Sequence, residues 1–174
     1  MKKYISFAMM ALIMGFGFVS CDPETNEEAG GTAVEKMAGF WDVNIIALDD
    51  NTGAELDNVG TKHMMTYNTV ENIATEMWLD DEKDFWGMKM KVDVNYDART
   101  FASVAKPYAA GTQETATIID GRVLEGAAKN VHGMPNDSIV FTVKFSDNKF
   151  AKYGFQHTYR IEGQRHTGFS PENE

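Results

Sequence analysis

The chain has 174 residues and a formal net charge of −10 at pH 7, with 43 % hydrophobic and 24 % charged residues. This composition is typical of a globular domain with a core of useful size. The acidic balance argues against a nucleic-acid partner, since binding phosphates requires a basic face. One cysteine excludes an intramolecular disulfide and a cysteine-rich zinc site, and with four histidines a metal site would have to rely on carboxylates. Neither a metal nor a cofactor is expected.

The first 20 residues have the pattern of an export signal. A short basic segment precedes an apolar run from Ile5 to Val19, which is too short for a membrane span of about 20 residues. The run leads into Phe18-Val19-Ser20-Cys21, which resembles the lipobox of bacterial lipoproteins, where the cysteine is acylated and the chain is cut before it. The alternatives are an ordinary secretory signal and a short N-terminal anchor.

This resemblance implies a mature protein that begins at Cys21 and is held on the outer membrane, facing the periplasm or the cell surface. Residues 21–33 lack hydrophobic periodicity and are rich in acidic residues and glycine, which predicts a flexible tether. Its acidity resembles the surface-export signals of some Gram-negative lipoproteins. The folded domain is expected over residues 34–172.

Apolar residues then recur at every second position, which predicts half-buried β-strands. A two-residue hairpin is expected at Asp120-Gly121, because Asp-Gly between two short apolar runs favours a type I′ turn. The clear runs are Trp41–Ala47, Trp86–Tyr96, Ile139–Phe145 and Phe155–Ile161, and the weaker ones are Lys62–Asn68, Glu76–Leu79 and Thr100–Ala105.

These elements amount to about eight to ten antiparallel strands and no long helix. Such a sheet must remove its edges, either by closing into a barrel or by forming a sandwich. The hairpin-to-hairpin order favours an all-β, up-and-down barrel of lipocalin-like (calycin-like) type. A barrel of this size is wide enough for one small ligand.

The two ends of the predicted domain carry recognisable motifs. Gly39-Phe40-Trp41 resembles the lipocalin signature, in which the tryptophan plugs the barrel and an arginine from the last strand lies across it. The matching arginine here is Arg165, with Arg160 as the second choice. The alternative is that Trp41 is an ordinary core residue.

The C-terminal segment 163–169, Gly-Gln-Arg-His-Thr-Gly-Phe, together with the lipobox and the early Gly-x-Trp, resembles the lipid-binding putative hydrolases, a family of Gram-negative lipoproteins. That resemblance implies a calycin-like barrel and a lipid or another apolar ligand. It also implies a hydrolase by name, but no catalytic motif is present. Gly-x-Ser-x-Gly is missing, for example.

The best candidate for a ligand-binding wall is one face of the predicted strand Trp86–Tyr96. Methionine adapts to irregular apolar ligands, and His157 with Tyr159 would add a polar contact for a head group such as a carboxylate. The alternatives are a filled core and a core histidine bonded to backbone. The wall residues are Trp86, Met88, Met90 and Val92.

The sequence therefore predicts non-catalytic binding of a small hydrophobic or amphipathic ligand inside the barrel. An open cavity beside the methionines would support this function. A filled barrel would favour the second hypothesis, a surface module whose loops bind a protein or a glycan. A third hypothesis is a hydrolase that uses the carboxylates of 49–51 or 80–84, although both segments are typical of solvated hairpin loops.

Overall fold

The computed structural model describes residues 30–147 and 157–168. The chain divides into two units, Met1–Gly30 and Gly31–Glu174. Within the described part of the second unit, eight antiparallel strands pair in chain order, and the first pairs with the last to close a barrel. The strands are β1 (Gly39–Asp49), β2 (Glu55–Asn68), β3 (Glu76–Asp80), β4 (Lys89–Asn95), β5 (Thr100–Pro107), β6 (Thr115–Lys129), β7 (Pro135–Phe145) and β8 (His157–Arg165).

The predicted all-β barrel is thus confirmed, and its interior follows from the alternation in the sequence. On β1, Trp41, Val43 and Ile45 are buried in the core, whereas the intervening Asp42 and Asn44 are only partly buried. The same period places one face of β4 and one face of β7 inside. None of the described residues belongs to a helix that is long and apolar enough to cross a bilayer.

Several strand boundaries differ from the predicted ones. β4 begins at Lys89 rather than at Trp86, because Gly87 has a φ of 79° and turns the chain before the strand starts. Trp86 nevertheless stays buried, so its inward direction does not depend on strand geometry. β2 begins at Glu55, well before the predicted Lys62. Phe155, the predicted start of the last strand, lies outside the described residues.

The predicted hairpin at Asp120-Gly121 is wrong. Both residues lie within the continuous strand β6, where the pairing register with β7 shifts between Ile119 and Arg122. The feature is a β-bulge in which Asp120 has a φ of 52°. Glycine is needed next to it, because a Cβ on Gly121 would lie 2.5 Å from the ring of Phe101.

Alternating strand directions give the barrel two distinct ends. The loops β2–β3, β4–β5 and β6–β7 share one end with residues 30–38 and 166–168, and we call it the plugged end after Trp41. The loops β1–β2, β3–β4, β5–β6 and β7–β8 share the other end, which we call the aromatic end. Its buried or partly buried rings belong to Phe85, Trp86, Tyr108, Phe145 and Tyr159.

Candidate functional site

Trp41 closes the plugged end and has no exposed surface. Its Nε1–H donates to Thr66 Oγ1 at 2.8 Å, and that hydroxyl donates to the Met37 carbonyl at 2.6 Å. The ring is therefore fixed by a hydrogen-bonded chain that joins β1, β2 and the turn before β1. A buried indole needs such a partner, since an unpaired N–H costs free energy.

Arg165 lies across the same ring, with its guanidinium carbon 4.5 Å from the centroid of Trp41. Its Nη1 donates to the Ala38 carbonyl, and its Nη2 lies 3.1 Å from Asp137 Oδ2. A Cβ on Gly39 would come within 2.5 Å of Nη1, so the glycine leaves room for the guanidinium. The three residues singled out by sequence at this end, Gly39, Trp41 and Arg165, thus form one cluster.

The proposed ligand wall is buried along its whole length. The exposed fractions are 4 % for Trp86, 0 % for Met88, 2 % for Met90 and 0 % for Val92. These four side chains are therefore almost completely covered by other parts of the protein. The wall belongs to a continuous core that also contains Met37, Met64 and Met77.

The aromatic end is filled by a layer of rings. Trp86 and Phe145 stack in parallel, with centroids 4.3 Å apart and planes 1° apart. Phe85 and Tyr159 pack edge to face with ring centroids 5.0 Å apart, and Tyr108 and Phe145 do so with ring centroids 5.5 Å apart. These rings pack in or against the same core as the methionines.

Polar atoms are built into this ring layer. Asp147 accepts hydrogen bonds from Trp86 Nε1 and from the Tyr108 hydroxyl, each at 3.0 Å. His157 Nε2 lies 2.6 Å from the Tyr159 hydroxyl, so these two predicted site residues form one polar pair. Sequence reasoning missed Asp147 and Tyr108, because both lie just beyond strand ends, where alternation carries no signal.

The acidic loop that follows β3 exposes Glu82 and Lys83 as expected, but Asp81 has no exposed surface. Its carboxylate accepts hydrogen bonds from the backbone N–H groups of Lys83 at 2.9 Å, Trp86 at 2.7 Å and Gly87 at 2.9 Å. The carboxylate thereby holds the loop that carries Trp86. Its role in this loop is structural.

Asp50 links the β1–β2 loop to the last two strands. It accepts hydrogen bonds from Lys144 Nζ on β7 and from Thr158 Oγ1 on β8. Partial burial acts to raise the pKa of Asp50, but these bonds and the nearby positive charge outweigh burial and hold the pKa below its usual value. The negative charge of Asp50 therefore stays at the rim of the aromatic end.

The outer wall carries a separate cleft of about 420 Å³ beside Trp78. The ammonium groups of Lys89 and Lys91 lie 5.9 Å and 5.7 Å from the Trp78 ring centroid. Hydrogen bonds with Tyr67 and Asp80 raise the pKa of Lys89. The alternation on β3 predicts that Trp78 faces this outer wall, because its neighbours Met77 and Leu79 point inward. The cleft is also lined by Met90, Lys106, Pro107, Ala109 and Ala110.

The remaining histidines give no catalytic arrangement among the described contacts. His63 lies within β2, and its Nδ1 is 3.0 Å from Asp42 Oδ1. His166 Nδ1 is 2.9 Å from the other oxygen of Asp42. Over residues 30–147 and 157–168, no group of three or more His, Cys, Asp or Glu could hold a metal ion.

A comparison with known protein families identifies the family of this chain. The model of a family described as lipid-binding putative hydrolase matches residues 26–170, which include every strand from β1 to β8. The chain belongs to the lipid-binding putative hydrolase family. The family resemblance inferred from the two ends of the domain is thus confirmed. Among curated proteins, none matches this family member.

Proposed function

We propose that the protein binds an amphipathic lipid without converting it, and that the acyl chain enters the barrel at the aromatic end. The ring layer of Trp86 and Phe145 over a methionine-rich core is the observation that carries this proposal. The lipid-binding family and the barrel fold both fit a lipid-binding role.

Lipid admission requires that side chains move, because the described methionines of the core are buried. Methionine is suited to such a change, since it is unbranched and repacks at low cost. Met88 and Met90 lie on the strand and loop that follow the ring layer, so they would be the first core side chains to meet an acyl chain. Each buried methylene of the ligand contributes about 0.8 kcal/mol toward this rearrangement.

The charges around the aromatic end favour an uncharged or cationic head group over the carboxylate suggested by sequence. Asp147 already accepts two hydrogen bonds inside the ring layer, and Asp50 stays ionised at the rim. The carboxylate of a ligand bound there would be repelled at short range by these aspartates. The hydroxyl groups of a glycerol head group could instead bond to Asp147 and to the His157–Tyr159 pair.

A matched pair of core variants tests where the lipid binds. Phe145→Leu removes a ring from the aromatic end, and Phe101→Leu makes the same change in the part of the core near the β6 bulge; both phenylalanines are 2 % exposed. We expect Phe145→Leu to tighten monoacylglycerol binding about threefold to tenfold, which corresponds to roughly 1 kcal/mol. Phe101→Leu should leave the affinity unchanged.

Binding is measured by tryptophan fluorescence titration, with native mass spectrometry to detect lipid that copurifies. A fatty acid of the same chain length serves as the second ligand and should bind more weakly than the monoacylglycerol. Equal affinities for the two phenylalanine variants, or no lipid binding at all, would refute the proposal.

The burial of Trp86, Met88, Met90 and Val92 favours a second candidate, a surface module that binds a glycan or a protein through its outer wall and loops. Trp78 with its flanking lysines offers a flat aromatic face beside hydrogen-bond donors. Under this candidate Trp78→Ala abolishes binding of the partner, whereas Phe145→Leu has no effect. No observation favours the hydrolase hypothesis over these two.

We also propose that Cys21 is acylated and holds the protein on the outer membrane, on its periplasmic or external face. Support comes from the sequence alone, namely the apolar run Ile5 to Val19 that leads directly into Ser20-Cys21. The mass of the mature N-terminal peptide would show the acyl groups, and Cys21→Ser should release the protein from membranes. A mature chain that starts elsewhere and carries no lipid would contradict this assignment.

A further inference from the structure

The hydroxyl group of Ser103 on β5 is buried without a hydrogen-bond partner. The residue is 2 % exposed, and its Oγ makes no hydrogen bond with any residue that the structure describes. Thr66 carries the other buried hydroxyl on a described strand, and that group donates to the Met37 carbonyl and accepts from Trp41. Native proteins pair most buried hydroxyls, because an unpaired one costs stability, so Ser103 points to a further partner.

The strand register places Ser103 inside the barrel, beyond the ring layer. Ser103 pairs with Ile118 on β6, and Ile118 pairs with Val143 on β7. Val143 lies two residues farther from the aromatic end than Phe145, which belongs to the ring layer. A lipid whose head group lies at the ring layer would therefore present its acyl chain, rather than its head group, to Ser103.

The wall between β4 and β5 lacks strand pairing beside Ser103. The two strands share three residue pairs, of which the one nearest the aromatic end is Asp93 with Ala102. Continuation of that register would set Ser103 opposite Val92, which belongs to the proposed ligand wall. An acyl chain between Val92 and Ser103 could therefore separate these two residues without breaking a register pair.

β5 is distorted on both sides of Ser103. Its register with β6 shifts between Phe101 and Ser103, and again between Ser103 and Lys106. Ala105 lies within the second shift and has a φ of 46°, which is uncommon for a residue with a Cβ. Such bulges are frequent beside functional sites, where they redirect a side chain. The distortion of β5 thus supports a role for Ser103 in binding.

We propose that the Ser103 hydroxyl binds a hydroxyl group carried part-way along the acyl chain of the lipid. The inference rests on the lipid-binding site proposed above, and it narrows the ligand class to lipids with a hydroxylated chain. A serine hydroxyl both donates and accepts hydrogen bonds, so it is complementary to another hydroxyl. A chain without that group leaves Ser103 unpaired.

Two monoacylglycerols test this inference on the full chain. Monoricinolein and monoolein have the same chain length and double bond, and they differ by one hydroxyl group part-way along the chain. Ser103→Ala removes the proposed partner. Ser138→Ala is the matched control, since the Ser138 hydroxyl already donates to the Gly163 carbonyl at 2.7 Å. Tryptophan fluorescence titration measures the affinities, and urea unfolding measures the stability of each variant.

We expect Ser103→Ala to weaken monoricinolein binding about tenfold, because the chain hydroxyl is then buried without a partner, and to change monoolein binding by less than about twofold. The urea midpoint of Ser103→Ala should equal that of the parent, since no internal hydrogen bond is lost. Ser138→Ala should lower the midpoint and leave the ratio of the two affinities unchanged.

An equal effect of Ser103→Ala on the two lipids, or no effect on either, would overturn this inference and leave the proposed lipid-binding function intact. Binding of monoolein but not of monoricinolein by the parent chain would do the same. If the parent chain binds neither lipid, both proposals fail.

Discussion

Replacement of Arg165 by methionine removes the guanidinium that covers Trp41 while keeping an apolar side chain of similar reach. The lost interactions are the contact with the indole ring, the hydrogen bond to the Ala38 carbonyl and the ion pair with Asp137. The ring contact is worth about 0.5–2 kcal/mol, the charged hydrogen bond about 1.5–3 kcal/mol, and a partly exposed ion pair about 0–1 kcal/mol. Because these contributions overlap, we expect a loss of about 3 kcal/mol in the free energy of unfolding.

Urea unfolding of the full chain measures this loss, with Arg122→Met as the matched control. Arg122 is exposed, and its Nε makes one long contact of 3.5 Å with the Asp120 carbonyl. The control should therefore change stability by less than about 0.5 kcal/mol. Arg165→Lys should lie between the two, because an ammonium keeps the charge but loses the fork of donors. If Arg165→Met and Arg122→Met lose the same stability, the plug does not depend on Arg165 and the reasoning fails.

Three further predictions concern single side chains. Gly163→Ala should destabilise by about 3 kcal/mol or more in the same urea assay, because its Cβ would lie 2.0 Å from the Asp42 carbonyl oxygen and force β8 away from β1; a loss below about 1 kcal/mol would contradict this. Asp81→Ala should speed hydrogen exchange at the Trp86 amide, which would lose its acceptor, and unchanged exchange would show that Asp81 does not hold the loop. Asp50→Asn should cost about 0.5–1 kcal/mol above pH 5 by losing the ion pair with Lys144.

The pH dependence of the last prediction has a definite sign. The pKa of Asp50 is lowered in the folded state, so its contribution is fully present above the pKa of the unfolded chain and is lost as pH falls through the folded pKa. The stability difference between the parent and Asp50→Asn should therefore shrink toward zero in acid. A difference that grows as pH falls would contradict this assignment.

The fold could be predicted because much of the interior alternates along the strands: Trp41, Val43, Ile45 and Ala47 are buried on β1, and Met88, Met90 and Val92 are buried along β4 and just before it. The bulge at Asp120-Gly121 could not be predicted, because Asp-Gly favours a residue with a left-handed backbone conformation in both a hairpin turn and a bulge. The strand continues there because Ile118 and Val123 both point inward, and a bulge restores the inward phase between them. A search for such a change of phase would have distinguished the two.

The candidate site was less predictable for a similar physical reason. Alternation shows which strand side chains point inward, and it identified His157 and Tyr159 correctly as interior residues. It carries no information on whether the interior is hollow, since that depends on how the side chain volumes fill the barrel. Loop residues such as Asp147 have no period at all, so only the three-dimensional structure brings that carboxylate to the indole of Trp86.

Closure of the barrel by β1 and β8 also sets the order in which the chain can fold. Asp42 and His166 are 124 positions apart in the chain, yet they are in contact, so the seam cannot form until β8 has been synthesised. Before that moment β1 presents an unpaired edge, and Trp41 lacks the arginine that covers it. We expect folding to be slow and late, since contacts between distant residues must overcome the entropy of closing the whole loop. A nascent chain of this protein therefore stays open until its last strand is complete.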